Sequence, residues 1–166
     1  MSGIQAASSS DGPPILRITE QAGVFTPIEV SCVQELWNDF LTNGEASDYS
    51  FLVFRGDDGA VLGFACFGYH SLTQGTYDLY WIAVDPAARG RGIGHALIVS
   101  VEDEVRKRGG RLLLVETSQT ASYAPARDLY GSSGFQLEAR INDFYAPDDD
   151  LVIYTKALEP LPIPKT

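Results

Sequence analysis

The residues whose spacing carries the most chemistry run from Val84 to Ala96, VDPAARGRGIGHA. Gly90, Gly92 and Gly94 alternate with Arg89, Arg91 and Ile93, after an apolar stretch and ahead of a helical pattern. Glycine at alternate positions lets a backbone approach a ligand with no Cβ in the way. Amides at a helix start lack intrahelical partners and carry the positive end of the helix dipole. Two arginines add full charges with forked donors. This combination suits a diphosphate. Three phosphate-binding patterns compete for it. A dinucleotide fingerprint needs GxGxxG, whereas the glycines here run GxGxG. A P-loop needs GxxxxGK[ST], which the sequence lacks. The third pattern, [Gln/Arg]-x-x-Gly-x-[Gly/Ala], is met by Arg89, Gly92 and Gly94. The plain alternative is a Gly/Arg-rich surface turn.

The chain that must position this loop has 166 residues, one domain on the scale of about one per 100–200 residues. Lys and Arg number 12 against 22 Asp and Glu, a net charge of −10. That balance argues against nucleic acid, whose binding rests on cations neutralising phosphates, and against an anionic membrane surface. The two cysteines, Cys32 and Cys66, form no CxxC. They are expected to be reduced, buried thiols of a cytoplasmic protein, with no metal site. Met1 to Asp11 lacks the basic-then-apolar pattern of a leader, and no apolar run approaches the ~20 residues of a membrane span.

Residues 1–13 read as a disordered tail, 14–158 as a single domain and 159–166 as a second tail. Ile15, Leu16 and Ile18 suggest a short strand over 15–19. Val30, Val33, Leu36, Trp37, Phe40 and Leu41 show helical spacing over 28–42, ending near Asn43-Gly44. Two strands at 51–54 and 61–67 flank the turn Gly56-Asp57-Asp58-Gly59. Tyr77 to Val84 predicts a central strand, and Ile93, Leu97, Val101 and Val105 a helix running to Gly109-Gly110. Leu112 to Glu116 predicts a strand buried on both faces and Pro125 to Ser132 a short helix, closed by Gly134 in a left-handed conformation. Strands near 135–140 and 151–157 complete a mixed sheet with helices on its faces.

The loop pattern, the preceding strand YDLYWIAV and the segment ARDLYGSSGF (126–135) stand in an order that resembles the GNAT acetyltransferase superfamily, over about residues 15–157. The run ETSxxxxYxPxRxxY…GF…DFYxPxDD from Glu116 is also similar to small bacterial members of undefined substrate. The resemblance implies an α/β (mixed α+β) acyl-CoA N-acyltransferase fold, a central mixed sheet whose fourth and fifth strands splay apart, flanked by helices. It implies acetyl-CoA as cosubstrate. Main-chain groups of Ile82, Ala83 and Val84 would pair with its pantetheine as an added strand. Amides of Arg89, Gly90, Arg91, Gly92, Ile93, Gly94 and His95 would hold the pyrophosphate, His95 through its amide and not its ring. Ala126 fits the small residue beside which the cofactor passes. Tyr123 stands where many members carry a pantetheine-binding asparagine.

The implied reaction is attack of a neutral amine on the thioester carbonyl, followed by departure of the thiolate. It asks for a base, an oxyanion donor and an acid. Tyr130 matches the thiolate-facing tyrosine, with core packing as its structural alternative. Asp78, eleven residues before Arg89, fits the base. Glu116 and ordered water are the other candidates. Asp78 pairing with a cation across the sheet, and Glu116 capping the next helix, are the corresponding structural roles. For the acceptor, Trp37, Tyr80, Phe144 and Tyr145 are candidates to form a wall, with plain core packing as the alternative. Asp143 and the run Asp148-Asp149-Asp150 are candidates to attract a cation, with a solvated turn as the alternative. The reading is an N-acetyltransferase acting on a primary amine of a small molecule. A protein or peptide amine, or a CoA-binding module without turnover, are the alternatives. A homodimer through the last strands is expected from the resemblance.

Overall fold

The computed structural model describes residues 3–161. Seven strands form one mixed sheet, β1 (Gly3–Ala6), β2 (Ser50–Arg55), β3 (Val61–Tyr69), β4 (Thr76–Val84), β5 (Leu112–Ser118), β6 (Gln136–Ala146) and β7 (Asp149–Ala157). Their order across the sheet is β1-β2-β3-β4-β5-β7-β6. The helices are α1 (Gly12–Gln21), α2 (Pro27–Asn43), α3 (Ile93–Lys107) and α4 (Ala124–Ser132). The chain forms two compact units, one made of the residues up to Gly68 with Tyr80–Ser100, the other of Tyr69–Leu79 with the residues from Val101 onward.

In the first unit, β1 pairs antiparallel with β2 and β2 with β3. Ile15, Ile18, Val33, Trp37, Phe51, Val53, Phe64 and Cys66 form its core. The Trp37 ring lies edge-on to Phe51 at 5.1 Å. A Cβ on Gly12 would stand 2.5 Å from Trp37 Nε1, so glycine at the start of α1 lets α2 come this close. The α2 start is specified by Thr26, whose hydroxyl accepts from the Glu29 amide while Glu29 accepts from the Thr26 amide.

The strand expected at 15–19 is instead the middle of α1. Pro13 and Pro14 occupy the first helical turn, where a missing amide costs nothing. Ile15, Ile18, Thr19 and Ala22 then fall on one buried stripe at spacings of three and four. The tail expected over 1–13 also carries structure, with β1 docked on β2 from Gly3↔Arg55 to Ala6↔Leu52. Asp11 ties the entry of α1 to β2. Its carboxylate is buried and accepts from the Ser8 amide (2.7 Å) and twice from Arg55 Nη2 (2.8 and 2.7 Å). The expected tail at 159–166 lies mostly outside the described residues.

In the second unit, β4 pairs parallel with β5 from Thr76↔Leu112 to Asp78↔Leu114, β5 pairs antiparallel with β7, and β7 with β6. Gly110 makes the turn into β5 fit, since a Cβ there would collide with Val105 Cγ1. Gly134, at φ 89°, closes α4 as expected. Glu102 is buried and receives Lys156 Nζ at 2.6 Å, and the same ammonium donates to the Ser133 carbonyl at 2.8 Å. Cys66 is buried, but Cys32 is exposed, which corrects the expectation of two buried thiols. On α2 the inward positions are Val33 and Trp37, one turn apart, so Cys32 lies off the buried stripe.

Candidate active site

The glycine–arginine loop belongs to the first unit and is held at both ends. At its start, Asp85 donates its amide to the Leu62 carbonyl at 2.8 Å. The Asp85 carboxylate accepts from Arg17 Nη1 on α1 and from the Ala87 amide, both at 2.9 Å. The Arg17 hydrogen bond, then the Ala87 bond, hold this carboxyl below its ordinary range against the effect of burial. At its end, Ile93 is buried. Gly63 of β3 makes room for it, since a Cβ there would stand 3.0 Å from Ile93 Cγ2 and 3.2 Å from Leu97 Cδ1. Between these anchors Arg89, Gly90, Arg91 and Gly92 are exposed. Gly90 and Gly92 sit at φ 75° and 77°, the left-handed region that glycine enters at no steric cost. No atom lies within 4 Å of a Cβ built on either. The first helical hydrogen bond of α3 runs from the Ala96 amide to the Gly92 carbonyl at 3.0 Å, so the amides before Ala96 precede the helical ladder. The loop thus offers donors, cationic side chains and clear space to an anion. Gly94 is half-buried and the His95 ring is exposed. Arg89 differs from the expectation in one respect, because its Nη2 donates to the Ala22 carbonyl at the end of α1 (3.0 Å).

Ile82 and Val84 are half-buried and Ala83 is buried on the last part of β4. Tyr80 is exposed and its ring meets Tyr49 edge-on at 5.5 Å. Trp37 does not join it. That ring is core, 3% exposed and packed on Phe40 and Phe51, so the wall role expected for it is corrected to packing by the apolar stripe of α2.

The second unit holds the candidate acid–base groups. Tyr130 on α4 is buried, packed against Phe135 (5.9 Å) and Tyr154 (6.1 Å). Burial pushes its phenol well above the usual tyrosine range. Asp78 is buried and its Oδ2 lies 2.7 Å from His70 Nδ1. The neighbour of Asp78 is thus an imidazole from the turn between β3 and β4. Asp78 pairs in register with Leu114, and Glu116 follows two residues along β5, so Asp78 and Glu116 share a sheet face. Glu116 is exposed. Tyr154, against which Tyr130 packs, pairs with Val115 and lies on the opposite face. Tyr123 and Ala126 are half-buried at the start of α4. Arg127, the arginine of the run that starts at Glu116, donates from Nη1 to the carbonyls of Ser118 and Thr120, both at 2.8 Å, and fixes the turn between β5 and α4.

Three carboxylates of the last hairpin accept hydrogen bonds from the protein. Asp150 accepts from Arg140 Nε (2.5 Å) and from the Asp143 amide (2.8 Å), Asp143 Oδ1 accepts from the Asp148 amide (2.8 Å), and Asp149 accepts from Ser118 (2.5 Å). The carboxylates of Asp143, Asp149 and Asp150, expected to attract a cation, thus hold a tight turn around the positive-φ residues Asp143 and Asp148. Phe144 and Tyr145 are exposed and meet edge-on at 5.0 Å.

A model of the Acetyltransferase (GNAT) family matches residues 18–135. The chain belongs to the GNAT family. The match takes in the loop, Asp78, His70, Glu116 and Tyr130, and it ends before β6, where Asp143, Phe144 and Tyr145 lie. A GNAT-family crystal structure from Desulfovibrio desulfuricans superposes with a TM-score of 0.90 at 40% identity, over 95% of this chain and 99% of that one. The [ribosomal protein bS18]-alanine N-acetyltransferase of Escherichia coli is 42% identical over 83 residues, 48% of this chain and 54% of that protein. Mycothiol acetyltransferase of Mycolicibacterium gilvum is 40% identical over 86 residues, 48% of this chain and 28% of its own length. Among the described residues of this GNAT chain, no helix is long and apolar enough to cross a membrane.

Proposed function

We propose that the chain is an N-acetyltransferase that moves the acetyl group of acetyl-CoA to a primary amine of a small molecule. The observation that carries the reading is the loop, with two left-handed glycines, clear space over both, and flanking Arg89 and Arg91 at the start of α3. Those features fit a diphosphate. The amides from Arg89 to His95 are assigned to it, and the main chain of Ile82, Ala83 and Val84 to the pantetheine. Acetyl-CoA, when bound, supplies an acetyl thioester. Tyr130 would donate a hydrogen bond to its sulfur. A phenol whose pKa is raised by burial holds its proton through the working pH range, so it acts as a donor and gives up little of the proton itself.

The net charge of −10 supports a cationic acceptor. Tyr80 with Tyr49, and Phe144 with Tyr145, supply exposed aromatic surface for such a molecule. A peptide amine is the second reading, favoured by the similarity to an enzyme named for ribosomal-protein alanine. A homodimer through β6 belongs to the proposal, since this edge strand is exposed along its whole length. The test is calorimetric titration with acetyl-CoA, followed by thiol release across a panel of spermidine, alanine amide and an alanine-initiated peptide. Turnover with the small amines supports the proposal. Turnover with the peptide alone supports the second reading. Tight binding with no release across the panel leaves a CoA-binding module.

A further inference from the structure

Helix α1 touches the glycine–arginine loop at two places, and every group involved belongs to the first unit. Arg17 lies off the buried stripe of Ile15, Ile18 and Thr19. Its Nη1 donates to Gln21 Oε1, one turn on, at 3.1 Å and to Asp85 Oδ2 at 2.9 Å. At the end of the same helix the Ala22 carbonyl accepts from Arg89 Nη2 at 3.0 Å. Between Asp85 and Arg89 the chain makes one tight turn, Pro86–Ala88. That turn is folded around Asp85. Its Oδ1 accepts from the Ala87 amide at 2.9 Å, and its carbonyl accepts from the Ala88 amide at 2.8 Å. One carboxylate oxygen thus caps the turn while the other faces α1. Arg17 keeps 45% of its side chain accessible and Asp85 12%. An ion pair this exposed on one side adds little to stability by itself. Its larger effect is on the orientation of the carboxylate from which the loop starts.

We infer that Arg17 is a positioning residue for acetyl-CoA: through Asp85 it presets the turn from which the loop amides meet the diphosphate. The inference rests on the proposed assignment of this loop to acetyl-CoA. Arg89, Gly90, Arg91 and Gly92 are exposed beyond the turn, and Gly90 and Gly92 face clear space, so the entry sets where their amides point. A loop that is already ordered spares the ligand the entropy of fixing it. Losing that order over about one residue corresponds to roughly tenfold in affinity. Two simpler accounts predict something else. If Arg17 acted only as a positive charge near an anion, removing the Asp85 charge would tighten binding. If the pair only docked α1 on the sheet, loosening α1 at its other end, where Asp11 meets Arg55, would weaken binding equally.

The test uses the full chain and calorimetric titration with acetyl-CoA, which needs no turnover. Arg17→Met and Asp85→Asn are each expected to weaken Kd by about tenfold, although they change the local charge in opposite directions. The double variant should bind no worse than about twofold below the weaker single one, since the two side chains act through one contact. Arg17→Lys keeps a charge-assisted bond to Asp85 and should return to within about threefold of the wild type. Asp11→Asn should unfold at a lower temperature and still bind acetyl-CoA within about twofold of the wild type. With whichever amine of the panel gives thiol release, the Arg17→Met defect should fall on the KM for acetyl-CoA and leave kcat within about twofold. Wild-type affinity in Arg17→Met, tighter binding in Asp85→Asn, or an equal loss in Asp11→Asn overturns the inference while the assignment of the loop stands. A wild-type protein that does not bind acetyl-CoA overturns both.

Discussion

The sharpest test of the loop compares two glycines that differ only in what they serve. Gly92 sits at φ 77° and Gly59, in the β2–β3 turn, at φ 82°, and neither has an atom within 4 Å of a built Cβ. Alanine at either site therefore meets no neighbour and carries only the cost of the left-handed backbone, about 1–2 kcal/mol. For a chain of this size that corresponds to a fall in Tm of roughly 2–8 °C, at about 2–4 °C per kcal/mol. The two variants should lose similar stability by thermal unfolding. Their affinities for acetyl-CoA should diverge. The Gly92 methyl projects into the space assigned to the diphosphate, and losing one charge-assisted amide contact costs about 1.5–3 kcal/mol. At about 1.4 kcal/mol per decade the expected weakening of Kd is roughly 10- to 100-fold. Gly59→Ala should bind acetyl-CoA like the wild type. Matched affinities in the two variants would refute the assignment of this loop to the diphosphate, because backbone strain is common to both.

Tyr130→Phe should reduce kcat by about 10²–10⁴-fold while leaving acetyl-CoA affinity within twofold, measured by thiol release and calorimetry; an unchanged kcat removes the phenol from the reaction. Asp11→Asn should destabilise the first unit near neutral pH. Burial acts to raise this carboxyl, but the Ser8 amide, Arg55 and the Ser8 hydroxyl together hold it below its ordinary value of 3.8. Its contribution is therefore complete above that value and is lost as pH falls through the lowered folded value, so urea midpoints of variant and wild type should converge in strong acid. Lys156→Met should cost about 3 kcal/mol by leaving buried Glu102 with Arg106 at 3.4 Å as its remaining ion pair. Adding Glu102→Leu should recover most of that loss in urea unfolding; failure to recover would mean that Lys156 acts mainly through the Ser133 carbonyl.

How legible each element is in the sequence depends on how local its signal is. The β4–loop–α3 passage is readable because an apolar strand, a glycine run and a four-residue apolar period succeed one another without interruption. The segment at 15–19 is ambiguous because Ile15, Leu16 and Ile18 satisfy two periods at once, and the prolines at 13 and 14 are the cue that decides for a helix start. β1 carries almost no apolar pattern, and its place comes from main-chain pairing with β2. Trp37 has the residue type of a binding wall, and Asp149 and Asp150 that of a cation-attracting patch, yet the ring packs on Phe51 and those two carboxylates accept from Ser118 and Arg140. His70 is hidden in the sequence for a different reason. It is eight residues from Asp78, and only a turn that returns Thr76 opposite His70 brings the two side chains together.

That turn leaves the Asp78 carboxylate paired with an imidazole, whereas the thiolate-facing candidate is held by packing alone. Tyr130 is buried among Phe135 and Tyr154, and this environment raises its pKa and keeps its proton in place. Strand alternation sets Asp78 on one face of the sheet and Tyr154, with Tyr130 against it, on the other.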